Sequence, residues 1–145
     1  MFARVIQAML CSMVLVTVAN AEGIAVLEMP WTRVSASELE KFEAKLGDVR
    51  VNNFALEKSP RTAAAGSATV HDFSASIANR SKMDARVLVQ VVGVRQDATP
   101  TLSAEGSVEI EARHTETLRS KTAYPEQATS DTIAYYVRVL ATPPD

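Results

Sequence analysis

His71 and His114, with Met29 and Met83, are the residues of this chain best suited to hold a soft metal. Imidazole nitrogen and thioether sulfur are the donors a secreted copper carrier would use. Their spacing argues against it: no two stand at H-x-H or M-x-x-M, where both donors would reach one ion. A periplasmic copper carrier is therefore an alternative reading, and no cofactor is expected.

Nucleophilic chemistry is as thinly supported. No G-x-S-x-G elbow occurs. His71 and Asp72 are neighbours on an expected strand and so face opposite ways, which prevents the carboxylate from orienting the ring. The chain has only five glycines and no Gly-rich phosphate loop. Its carboxylates fall singly along polar faces, as solvated charges do. A hydrolase with an unrecognised site is the second alternative; no catalytic residue is assigned. Asn79-Arg80-Ser81 has the form of a glycosylation acceptor, but Asn79 reads first as a turn residue.

Three residues stand out for contact rather than catalysis. Tyr135 and Tyr136 are adjacent, so one must face inward and the other outward. Parity puts Tyr135 with Ile133 and Val137 in the core, and Tyr136 outside with Arg138, on whose guanidinium it could stack. Trp31, beside Pro30, is either a plug against the body of the protein, the favoured reading, or an exposed anchor. Trp31, Tyr136 and Arg138 are the candidate partner-binding residues.

The first 21 residues differ from the rest. Arg4 is followed by an uncharged, mostly apolar run from Val5 to Ala19, and Ala19-Asn20-Ala21 has the small-x-small pattern of a signal-peptidase site. Residues 1–21 therefore read as a signal peptide cleaved before Glu22. The run is short for a hydrocarbon core, which needs about 20 apolar residues. No transmembrane span is expected after cleavage. Cys11, the only cysteine, lies in that run, so the mature chain would have no disulfide, thiol nucleophile or thiolate metal site. Removing Arg4 leaves 14 Lys+Arg against 17 Asp+Glu, a net charge of −3. Without a basic run, nucleic-acid binding is not expected.

Beyond the leader, residues 22–47 are expected to form an N-terminal segment with one helix, and 48–145 a sandwich domain. Ile24 to Leu27 is an edge strand or a loose tail. Over Ser35 to Gly47, Ser35 and Glu38 (or Ser37 and Glu40) form a capping box. Leu39, Phe42 and Leu46 make an apolar stripe, and Gly47 can end a helix in the left-handed region. From Asp48 the period becomes two. Val49 and Val51 share one parity, Phe54 and Leu56 the other, which predicts a bulge near Asn52-Asn53. Ser59 to Ser67 reads as a loop. His71, Phe73, Ala75 and Ile77 alternate with polar or small residues; Asn79 to Asp84 is turn-prone; Val87, Val89 and Val91 then share a face. Residues 97–100 form a turn, Val108 and Ile110 mark a further strand, and a short one is centred on Leu118. After a loop over 123–131, a closing strand runs from Ile133 to Leu140. The fold class is mainly β: an immunoglobulin-like antiparallel sandwich of about six or seven strands preceded by one amphipathic helix, with a small barrel as the main alternative.

Ile77-Ala78-Asn79-Arg80-Ser81 and the alternation after it resemble the strand–N-x-S–strand segment of bacterial immunoglobulin-like modules. Phe54-Ala55-Leu56-Glu57-Lys58 is similar to the opening of FxLYD-type domains, with Glu57 and Lys58 in place of Tyr and Asp. The resemblance implies an exported binding or scaffolding module without catalytic residues. The resulting expectation is a non-catalytic periplasmic or secreted module that contacts another protein of the envelope or extracellular space.

Overall fold

The computed structural model describes residues 15–18, 25–59 and 69–144. Its strands are β1 (Leu15–Val18), β2 (Ala25–Ser35), β3 (Ala44–Leu46), β4 (Val49–Lys58), β5 (Thr69–Asn79), β6 (Ala85–Val94), β7 (Pro100–Ile110), β8 (Thr115–Tyr124) and β9 (Ala134–Thr142). Eight of them form two antiparallel four-stranded sheets, β2-β9-β6-β7 and β3-β4-β5-β8. The four-residue β1 adds to the outer edge of β2. Two sheets of four strands replace the expected six or seven strands.

The alternation that predicts strands also predicts the core. On β5 every second residue from Thr69 to Asn79 is buried. On β6 Val87, Val89 and Val91 are fully buried, facing Phe73, Ala75 and Ile77 of the other sheet within one core cluster. β-branched residues dominate because they fit a pleated surface and lose little rotamer freedom there. β4 obeys the same rule with the expected interruption. Its register shifts between Asn52 and Ala55, and Asn53 takes a positive φ of 52°. The bulge inserts one residue and returns Phe54 to the interior beside Val49 and Val51.

Three expectations are corrected. First, the amphipathic helix over 35–47 does not form. Ala36–Lys41 is a 3₁₀ helix, and Ala44–Leu46 is strand β3. Ser35 makes no side-chain cap; its hydroxyl lies 3.3 Å from that of Ser37. The competing pattern is a hairpin. Ala44 and Leu46, across the Gly47-Asp48 turn from Val49 and Val51, are all buried, and Ala44 pairs with Val51 and Leu46 with Val49. Pairing with β4 buries these residues more completely than one helical stripe could. Gly47 does adopt a positive φ of 57°, but as a hairpin turn rather than a helix end. Second, residues 22–47 supply β2 and β3, one strand to each sheet. Third, Ile133 is 44% exposed and precedes the closing strand, which begins at Ala134. The Ser59–Ser67 loop lies outside the described residues except for Ser59.

Two connections that cross between the sheets meet at Asn79. Its side chain is buried, and Nδ2 donates to the carbonyls of Met83 at 2.8 Å, Glu111 at 3.2 Å and Ile110 at 3.4 Å. Its Oδ1 accepts from the Ser81 amide at 3.1 Å. One amide thus ties the β5–β6 turn to the β7–β8 turn, and Asp84 Oδ1, accepting from the Ala112 amide at 2.8 Å, adds a second tie. At the flank, Ser120 and Thr122 of β8 donate to the Glu105 and Ser103 carbonyls of β7, at 2.6 and 2.7 Å. Close approach there requires Gly106, where a Cβ would sit 2.7 Å from Leu118 Cδ2.

Two stability predictions follow from these contacts. Asn79→Ala removes the side-chain donor to the Ile110 and Glu111 carbonyls and one of two donors to Met83, and should cost about 2–3 kcal/mol in urea unfolding. Gly106→Ala forces Leu118 aside and should cost about 1–3 kcal/mol in the same assay; an unchanged midpoint for either variant would contradict the packing described.

Candidate interaction face

The outward faces of β7, β6, β9 and β2 form one surface. Strand register places Glu105, Gln90 and Arg138 in one row across it, and Ser107, Leu88, Leu140 and Glu28 in the next. A third row holds Ser103, Val92, Tyr136 and Arg33. Polar side chains link into a chain that crosses all four strands. Gln90 Nε2 donates to Glu105 at 2.9 Å, Arg138 NH1 donates to Gln90 Oε1 at 3.5 Å, and Arg138 Nε donates to Glu28 at 2.9 Å. On either side of this chain lie half-buried apolar residues, Leu88 with Leu140 and Val92 with Tyr136.

Trp31 stands at the edge of this face. The favoured reading, a plug against the sandwich, is corrected: its side chain is 46% exposed. The cause is the irregularity of β2 between Met29 and Thr32, where Pro30 cannot donate to a ladder and the register slips. Met29 keeps its place in the core, and the one extra residue carries Trp31 outward. A shallow groove joins Trp31 to Gln90, Val92, Ser103 and Glu105. Tyr136 is half-buried between Val92 and Arg33 on neighbouring strands. Arg138 is held by Glu28 and Gln90, so its charge is already matched within the face. The three residues singled out from the sequence therefore share one face. The polar chain beside them was not foreseen, because it depends on strand register.

The histidines do not converge. His71 lies near the start of β5, and the carbonyl of His114 accepts from the amide of Asn79 at its end. Eight residues of extended strand separate His71 from Asn79, roughly 26 Å. His114 is exposed on its turn. His71 is buried: it stacks on Tyr124 with ring centroids 3.8 Å apart and planes 10° from parallel. Its Nδ1 lies 2.9 Å from the Thr69 carbonyl, which can only accept, so Nδ1 carries the proton. Among the described residues no cluster of three His, Cys, Asp or Glu could hold a metal ion.

A cleft of about 600 Å³ lies on the opposite sheet and is lined by Glu57, Asp72, Ser74, Arg119 and Lys121 among others. Lys121 pairs with Asp72 there at 3.5 Å. Neither histidine lines it.

Beneath His71, the Tyr124 hydroxyl is buried and meets no partner at full hydrogen-bond geometry among the described residues, Thr129 offering only a weak interaction. Burial, reinforced by the neighbouring Tyr135 phenol and only partly opposed by Thr129, pushes Tyr124 up to about 12. Burial also raises Tyr135, against an opposing contribution from Thr132.

No family model matches this chain, and no curated protein matches it. Among solved structures it is similar to a DUF1425 family member from Shewanella sp. pv-4, with 12% identity and a TM-score of 0.38, over 67% of this chain and 84% of that one. No helix among the described residues is long and apolar enough to cross a membrane.

The buried phenols give a prediction with a definite sign. Both phenols titrate higher in the folded state than in the unfolded chain. The stability they confer is therefore complete below about pH 10 and declines as pH rises toward 12, where Tyr124 ionises. Denaturant midpoints and tyrosinate absorbance measured across that range should show unfolding accompanying ionisation. Tyr124→Phe should flatten the alkaline loss and cost less than about 1 kcal/mol at neutral pH, since only the weak interaction with Thr129 is removed.

Proposed function

We propose that this protein is an exported, non-catalytic binding module whose outer β7-β6-β9-β2 face contacts another protein of the cell envelope or extracellular space. One observation carries the reading: an exposed tryptophan at the edge of a face that carries Tyr136, Val92, Leu88 and Leu140 and is stiffened by the Glu105–Gln90–Arg138–Glu28 chain. Indole and phenol rings supply large contact areas at low entropic cost, which is why they dominate binding hot spots. Strand side chains fixed by cross-strand hydrogen bonds lose little further freedom when a partner arrives. The leader pattern of residues 1–21 supports export, to the periplasm or outside the cell. An immunoglobulin-like module, akin to the FxLYD type, is the architecture we assign to it.

Affinity capture from an envelope extract, with the purified protein as bait, tests the proposal. A reproducible partner should be retained, and Trp31→Ala should weaken retention at least about tenfold, or 1.4 kcal/mol. Met83→Ala, at an exposed turn residue away from the face, should leave it unchanged. Repeated capture of nothing above background would count decisively against a binding role.

A further inference from the structure

The two sheets have four edges, and most of their length is closed to strand addition. On β7, the carbonyls of Ser103 and Glu105 already accept hydroxyls from β8, and β8, the edge of the other sheet, carries Glu116, Arg119 and Lys121, charges that oppose strand addition. Strand β3 is only three residues long. On β2, Pro30 and the irregularity between Met29 and Thr32 break the edge from Met29 onward. What remains is Ala25–Glu28, uncharged from Ala25 to Leu27. In this structure the chain's own Leu15–Val18 lies along it, antiparallel, with Leu15 opposite Glu28 and Val18 opposite Ala25.

Cleavage before Glu22 would remove β1 and leave that stretch bare. An uncharged edge without proline is a ready template for another strand, and proteins do not leave such edges open without use or cover. We propose that, after processing, Ala25–Glu28 takes an extended segment of a partner protein in the place of β1. This inference rests on the binding role above and narrows it to one edge. The occupant's chemistry is given by what lies there now: Leu-Val-Thr-Val, uncharged and β-branched at three of four positions. Main-chain hydrogen bonds supply the attachment, and alternate side chains supply selectivity. A four-residue ladder is too small to hold two folded copies together, because stable interfaces bury on the order of 1,200–2,000 Å². An extended segment suffers no such limit, since it can continue from the edge onto the adjoining face that carries Trp31.

The test uses protein purified after export of the full-length chain. Mass analysis should show a chain beginning at Glu22; an intact leader on the exported protein overturns the proposal. The probe is a synthetic peptide of residues 13–20, Met-Val-Leu-Val-Thr-Val-Ala-Asn, with a lysine tail for solubility. Its addition should slow hydrogen exchange at the amides of 25–28 at least tenfold, while a version with aspartate at the two central positions should not. Val26→Lys, which places a charge on the edge while leaving the core untouched, should abolish the protection. Absent protection, or equal protection by the aspartate peptide, overturns the proposal. An envelope partner retained while the edge stays unprotected overturns the edge alone and leaves the binding role standing; no retained partner at all overturns both.

Discussion

Two sheets can share one interior only if each connection that crosses between them delivers its strand with the apolar parity facing inward. A slip of one residue would turn every valine of β6 to water. The β5–β6 crossing is where this constraint is met most tightly. Buried Asn79 closes β5, and its amide fixes the path through Ser81 and Met83 so that Ala85, Val87, Val89 and Val91 all arrive facing the core. The same amide reaches the Ile110 and Glu111 carbonyls, so the β7–β8 crossing is positioned by the residue that positions its neighbour. A hydrocarbon side chain could fill the space but could not serve two turns, and it would take a donor away from each.

The proposed interaction face is a by-product of that register. Gln90, Arg138, Glu28 and Glu105 come from four strands, and they align only because β6 lies between β7 and β9 with the pairing observed. Each charge in the row has a partner, which limits the desolvation cost of covering the face. The apolar residues on either side remain available for contact. Side chains bonded to one another across four strands stiffen the surface, with two carboxylates to one guanidinium.

Period-two patterning made β5, β6 and β9 legible, and the parity change between Val51 and Phe54 located the β4 bulge. Elsewhere two patterns overlapped. Leu39, Phe42 and Leu46 satisfy a helical stripe, while Ala44, Leu46, Val49 and Val51 satisfy a hairpin about Gly47-Asp48. Burial on both arms of the hairpin decided between them. The first half of β7 was missed because its inward residues include small ones, Ala104 and Gly106, which carry little hydrophobic signal although Leu118 requires the space. Trp31 and Tyr136 could be singled out by type, but their common face could not, since it depends on a register slip and on pairing across more than a hundred residues of chain. The buried His71–Tyr124 stack was hidden for a similar reason: β5 and β8 bring the rings together from distant parts of the sequence.

The hydroxyls of Ser120 and Thr122 have a mechanical consequence. They fasten one long flank of the sandwich as a spine fastens a book, side chain to main chain. Pulled apart, the covers would part first on the far side, where β2 and the three-residue β3 hold the margin. Tension applied through the N-terminal end would load that weaker margin, whereas the spine would yield last.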